Sequence, residues 1–302
     1  MKQKFKYLIN ALIRRGYWFN HMFFEGCRRL ITYDQFNTEV VNLGSTSAVH
    51  AFNYDGLKVK GGNWAMTRNP LLGDYAILRN YSGFLKEEGS IVLIPLCPFT
   101  ALSGSYDYLD DRYYTVLYPS TIPNYSYVHD VQVQAKWTSP LYHYPILALF
   151  KDFGNLLFPG RNKKLRDVEM QLDADKIMLS WMHEFSIEDF SYPLSLKNYD
   201  AIEDAANYIN NIISYCKYKK CKPVLVIPPV YKTLAEKFTP EIKSLLFDQL
   251  LDRIEDKNVC LYSYLNNEVF IYNASLFENS FLMNRTGAKL FTITLLKDIG
   301  LL

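Results

Sequence analysis

No apolar run in this 302-residue chain approaches the ~18–20 residues needed to cross a bilayer. The longest candidate is the short stretch around Pro145 to Phe150, so no transmembrane segment is expected. The N-terminal residues are not expected to be a secretory signal. Lys2, Lys4, Lys6, Arg14 and Arg15 stand among apolar residues, but neither an uninterrupted apolar core nor a small-residue cleavage site follows them. Net charge is nearly absent: 33 Lys and Arg against 31 Asp and Glu leave +2, which gives no electrostatic reason to expect a nucleic-acid partner. Cysteines are few and odd in number. Cys27, Cys97, Cys216, Cys221 and Cys260 lack paired metal-ligand spacing, and no second Cys or His pair completes a zinc site near Cys216 and Cys221. A reduced, cytoplasmic chain of buried thiols, with no metal and no cofactor, fits this best. No internal repeat or low-complexity tract is visible.

What is present describes a packed α/β protein. The chain is 49% hydrophobic and 21% charged, enough apolar material for a sizeable core. Its 24 Tyr and 19 Phe belong mostly to that core, with some rings available to line a groove. Glu39 to Leu43 reads as a strand ending at Gly44, after which Ser45, Thr46 and Ser47 start a helix. An extended segment at Val59 to Trp64 precedes a helical pattern at Pro70 to Leu85 and a buried-type strand at Ile91 to Leu96. Helices at Tyr199 to Tyr218, Pro240 to Ile254 and Asn284 to Lys297 alternate with strands at Val224 to Ile227 and Val259 to Tyr262. The expectation is one domain over residues 1–302, a three-layer α/β/α fold with a mostly parallel sheet. Residues 1–35 form a helical N-terminal segment, and 98–197 an irregular or helical insertion over the sheet edge, with a helical patch at Leu141 to Leu157. In such sheets ligands bind at the carboxyl ends of the strands. The turns at Gly44 to Ser47, Asn63 to Met66, Pro95 to Phe99 and Pro228 to Tyr231, and the segment before Asn284, should therefore share one edge.

Val41-Asn42-Leu43-Gly44-Ser45-Thr46-Ser47 resembles the first block of the SGNH (GDSL-type) hydrolases, in which a strand delivers a Gly, a small or acidic residue and then the nucleophilic Ser. Thr46 stands at that third position. Asn279-Ser280-Phe281-Leu282-Met283-Asn284-Arg285-Thr286-Gly287-Ala288 resembles the family's last block, with Asn279 at the Asp position and Leu282 at the His position. Asn63-Trp64-Ala65 and the strand with Pro228-Pro229 suit members found with bacterial surface-polysaccharide genes. The resemblance implies an SGNH-type, flavodoxin-like fold and an ester or O-acyl substrate, a glycan or an acylated small molecule. It also implies a cleft to which Gly44 and Asn63 contribute binding groups. The family's Gly-x-Asn block is not evident. A hydroxyl becomes a useful nucleophile when a base takes its proton and a third group orients that base. Leu282 can do neither, and neutral Asn279 cannot stabilise an imidazolium as a carboxylate does, so the resemblance implies a pseudoenzyme, accessory to polysaccharide assembly.

Two other readings compete. A displaced alignment makes Ser45 or Ser47 the nucleophile, with His50 as base because it lies one helical turn from Thr46, or with His129, His143 or His183 folded over from the insertion. The enzyme would then be an O-acyltransferase or esterase. Alternatively, the basic, aromatic N-terminus lies on an anionic membrane surface or a protein partner, rather than packing on its own domain. The hydroxyls of residues 45–47 also suit helix capping. Asp107, Asp110 and Asp111 lack the Gly and Glu of a calcium loop and read as solvated surface.

Overall fold

A computed structural model describes residues 2–16, 19, 27–104, 109–143, 150, 153–154, 157 and 167–302. His21, Asp107, the side chain of His143 and much of the Leu141 to Leu157 patch lie outside the described residues. The chain divides into two compact units, one of Met1–Tyr33 with Tyr108–Lys163 and one of Asp34–Asp107 with Lys164–Leu302. The principal elements in chain order are α1 (Lys2–Arg15), β1 (Val40–Asn42), α2 (Thr46–Ala51), β2 (Gly61–Asn63), α3 (Leu71–Tyr81), β3 (Ile91–Pro95), α4 (Tyr127–Thr138), α5 (Asp167–Glu184), α6 (Leu196–Tyr218), β4 (Lys222–Ile227), β5 (Cys260–Ser263) and α7 (Arg285–Asp298).

Among the described residues the larger unit holds a five-stranded sheet in the order β2-β1-β3-β4-β5, with every pairing parallel. Parallel strands covered on both faces read as continuous apolar runs, and all five residues of central β3 are buried. Side chains alternate across such a sheet. Val40, Leu93, Val224 and Val226 face one core with Ala48 and Ala51 of α2 and Phe291, Leu295 and Leu296 of α7. The alternate residues point to the other face, where α6 packs on β4 and on α3, with Tyr75 and Tyr215 meeting edge to face at 6.2 Å. Ala201, Ala205, Ile209, Ile212, Ile213 and Cys216 supply the buried stripe of α6.

The segment expected to be largely irregular contains the 18-residue α5 and the 12-residue α4. α5 carries good helix formers such as Met and Leu while α4 carries three Val, and in both helices interleaved polar and apolar residues blur the apolar period. Around Pro240 the expected helix is present as Pro240–Lys243, a π turn at Ser244–Asp248 and Gln249–Leu251.

Asn63 closes the end of α2. Its Nδ2 donates to the carbonyls of Ala48 (3.3 Å), Val49 (3.2 Å) and Phe52 (3.0 Å), while Oδ1 accepts from Asn42 Nδ2 (2.9 Å) and the Ala65 N–H (3.1 Å). These are the carbonyls a helix C-terminus leaves without intrahelical partners. Asn63→Ala should lower the unfolding free energy by about 1–3 kcal/mol, read as a lower urea midpoint with an unchanged slope.

In the smaller unit α1 buries Asn10 and Ile13. Asn10 Oδ1 accepts the Leu141 N–H at 2.9 Å, and Arg14 donates to the Trp137 and Thr138 carbonyls at the end of α4. A cation there also complements the helix dipole. Of the acidic residues expected at a solvated surface, Asp110 pairs with Arg112 and Asp111 with Lys136 (2.6 Å), and His129 Nε2 stands 2.9 Å from Asp111.

Candidate functional site

In the order 2-1-3-4-5 the chain leaves β1 toward β2 on one side, and β3 opens the other side of the sheet. The crevice at the carboxyl ends of β1 and β3 is therefore the topological switch point. Gly44 turns the chain there with φ +113°, and a Cβ on it would lie 2.6 Å from Ala48 Cβ and 3.3 Å from Pro95 Cγ. Only glycine fits that turn without strain. Its N–H donates to Asp74 Oδ1 at 2.7 Å, so this candidate binding group is committed inside the protein.

The three hydroxyls that follow divide their work. Ser45 sits at the N-cap of α2 but makes no cap hydrogen bond; its Oγ accepts the Asn69 N–H at 3.1 Å. Thr46 Oγ1 accepts the Arg68 N–H at 3.1 Å. Both side chains thus pin the loop after β2, in which Arg68 takes the uncommon φ of +55°. The capping expected of these hydroxyls is replaced by a loop-to-loop tie. Ser47 is buried, and its hydroxyl is hydrogen-bonded to the Cys97 thiol.

Asp74 is the strongest electrostatic feature of this edge. It is buried in the first turn of α3 and accepts from Gly44 and from Asn69 Nδ2 (2.5 Å). Burial pushes its pKa up to about 7, against the lowering effect of those two hydrogen bonds. The Cys97 thiol is likewise pushed up by burial, opposed by its hydrogen bonds with Ser47 and Thr100 and aided by the nearby Asp74. A thiol held protonated is a poor nucleophile.

Four of the turns expected to meet do so. Ser47 and Ala51, Cys97 and Pro98, Pro228 to Val230, and Phe281 with Met283 line one crevice. Its volume is about 10 Å³, room for a single water. Neither Thr46 nor Asn279 nor Leu282 belongs to that lining. Asn279 Oδ1 accepts the N–H groups of Phe281 (3.0 Å) and Leu282 (2.7 Å), closing a turn. The Leu282 carbonyl accepts from the Glu278 N–H at 2.8 Å. Beyond this turn Asn284 caps α7 by accepting from Thr286 and Gly287, both at 3.0 Å. Gly287 lets α7 approach closely, since a Cβ there would stand 2.1 Å from the Leu276 carbonyl oxygen.

An aromatic cluster roofs the edge. Trp181 of α5 packs on Phe99 (4.8 Å) and edge to face on Phe281 (4.9 Å), while Phe99 stacks on Phe185 at 5.6 Å. Asp173 of the same helix accepts from both the N–H (2.8 Å) and the hydroxyl (2.6 Å) of buried Ser280. The helix thus joins the turn after β3 to the segment before α7.

His50 does not reach the hydroxyls among the described residues; its Nδ1 faces Glu278 Oε2 at 3.7 Å, beyond a hydrogen bond. His129 belongs to the Asp111 pair in the smaller unit, and His183 lies exposed near the end of α5. Sequence reasoning missed Asp74, Asn69, Cys97 and Trp181. Asp74 carried a usable signal: it lies three residues after Leu71 and four before Leu78, within the apolar stripe of its helix. A search of protein-family models and of curated proteins finds no match to this chain.

Proposed function

We propose that this chain is an SGNH-like protein whose carboxyl-edge cleft has given up acyl-transfer chemistry and serves as a recognition or accessory surface in bacterial surface-polysaccharide assembly. The observation that carries the reading is the employment of the residues at the three catalytic positions. Thr46 holds a loop N–H, Asn279 closes a turn, and Leu282 offers no proton acceptor in its side chain. The flavodoxin-type strand order and the meeting of the first and last blocks at one crevice support the family resemblance. Drug-sized ligands need pockets of roughly 300–1,000 Å³, so an acylated glycan would meet the aromatic rim around Trp181 rather than enter the crevice. Aromatic faces suit the apolar faces of sugar rings.

The competing reading, an esterase or O-acyltransferase with a relocated base, draws on the His50 and Glu278 pair. Hydrolysis of an activated acetate ester separates the two. Wild type, Thr46→Ala, Ser47→Ala and His50→Ala should share one background rate at neutral pH. A rate that falls ten-fold or more in any of these variants would establish the relocated base and end the non-catalytic reading. Loss of a base from a working triad lowers turnover by far more, on the order of 10⁶ in subtilisin.

A further inference from the structure

Charge is not evenly shared between the two units. Met1–Tyr33 with Tyr108–Lys163 carries twelve Lys and Arg against five Asp and Glu, a surplus of seven in a chain whose total is +2. The other unit is therefore net acidic. On the basic unit, α1 contains no acidic residue and leaves Phe5, Leu8 and Leu12 outward at i, i+3 and i+7, the spacing of one helical face. Lys4 and Arg15 flank that face, one turn before Leu8 and one turn after Leu12. Phe150, Phe153 and Leu157 repeat the same spacing elsewhere in the same unit, and all six apolar side chains are more than half exposed. A helix meant to close a core would bury such a stripe, yet α1 packs through Asn10 and Ile13 instead.

We infer that this basic unit docks on an anionic lipid surface, with Phe5, Leu8 and Leu12 entering the headgroup boundary and Lys4 and Arg15 pairing with lipid phosphates. An exposed apolar stripe bordered by cations on a helix free of carboxylates, as on α1, is the chemistry of interfacial helices. No helix among the described residues is long and apolar enough to cross a membrane, so the contact is peripheral. The net-acidic unit would be repelled by the same surface, so the basic unit makes the contact.

Co-sedimentation of the full chain with vesicles tests this. Binding to mixed phosphatidylglycerol and phosphatidylcholine vesicles should exceed binding to phosphatidylcholine alone by about ten-fold, and the difference should shrink as salt is raised. Phe5→Ser/Leu8→Ser/Leu12→Ser should weaken binding to the anionic vesicles about ten-fold or more. Lys4→Glu/Arg15→Glu should do so too, but with the loss largest at low salt. All these side chains are exposed, so an unchanged melting temperature verifies that each variant is folded. Equal binding to both vesicle types, no binding to either, or triple and double variants that bind like wild type would overturn the inference. A triple variant that turns a wild-type dimer into a monomer, without vesicle binding by the wild type, would assign the face to a second copy and overturn it as well.

Discussion

Gly44→Val lowers the unfolding free energy by about 3 kcal/mol or more, because two independent penalties meet at one residue. The first is conformational: φ of +113° is open to glycine and strained for a β-branched residue. The second is steric, since the new Cβ lies 2.6 Å from Ala48 Cβ before the valine methyl groups are added. Neither neighbour can give way easily. Ala48 is fully buried on α2, and Pro95 ends the central strand. The two penalties separate experimentally. In a Gly44→Ala background, Ala48→Gly should recover the steric part and leave the strain, giving a favourable coupling between neighbours in a double-mutant cycle. Gly83→Ala, where a new Cβ meets nothing within 4 Å, is the control and should change stability by less than about 0.5 kcal/mol. Urea unfolding reads all of these variants.

Asp74→Asn should have an effect whose size depends on pH. The folded pKa of about 7 lies above the ordinary carboxyl value of 3.8, so the folded state holds this proton more tightly than the unfolded state. A raised pKa contributes stability that is fully present below the unfolded value and is lost as pH rises through the folded one. Between pH 5 and pH 8 the wild type should therefore lose about 2–3 kcal/mol through Asp74 that the amide variant keeps. The carbonyl oxygen of the substituted side chain can still accept the Gly44 N–H, so the variant should be near neutral below pH 3.8, already stabilising at pH 5 and more so at pH 8. Asp175 and Asp256 have their pKa lowered by Lys237 and Lys217 and act in the opposite direction. They are common to both proteins and cancel in the difference. A variant whose stability tracks the wild type in parallel from pH 5 to pH 8 would remove Asp74 as the buried acid of this edge.

The legible parts of the sequence were those in which one physical rule dominates. Ile91 to Pro95 and Val224 to Ile227 are apolar on both faces because helices cover both sides of a parallel sheet, so strand runs and helix periods were enough for the layer architecture. Asn at position 284 is a favoured cap residue where the helical pattern begins, and it caps α7 by accepting from Thr286 and Gly287. Less visible were α4 and α5, whose polar and apolar residues interleave without a clean stripe, so a segment with two helices read as largely irregular. The site was legible as a place, from strand ends and turns, but not as a set of contacts. Cys97 meets Ser47 across 50 positions of chain and Trp181 meets Phe281 across 100, separations that a local pattern does not encode. The hydroxyls of residues 45 and 46 show the same limit. Their capping potential was clear, but the loop after β2 arrives in space and takes their lone pairs instead.

The central claim is that no hydroxyl at this sheet edge is activated. Ser45 and Thr46 are acceptors for backbone N–H groups, Ser47 shares a hydrogen bond with a thiol that burial keeps protonated, and His50 turns to Glu278. An activated hydroxyl would attack the phosphorus of an alkyl fluorophosphonate, expel fluoride and retain the phosphonyl group as a stable adduct. Intact-protein mass spectrometry after incubation of the wild-type chain with such a probe is the most direct measurement. The expected spectrum shows the unmodified mass alone. A single stoichiometric adduct mapped to Ser45, Thr46 or Ser47 would contradict the account and make this edge an active site.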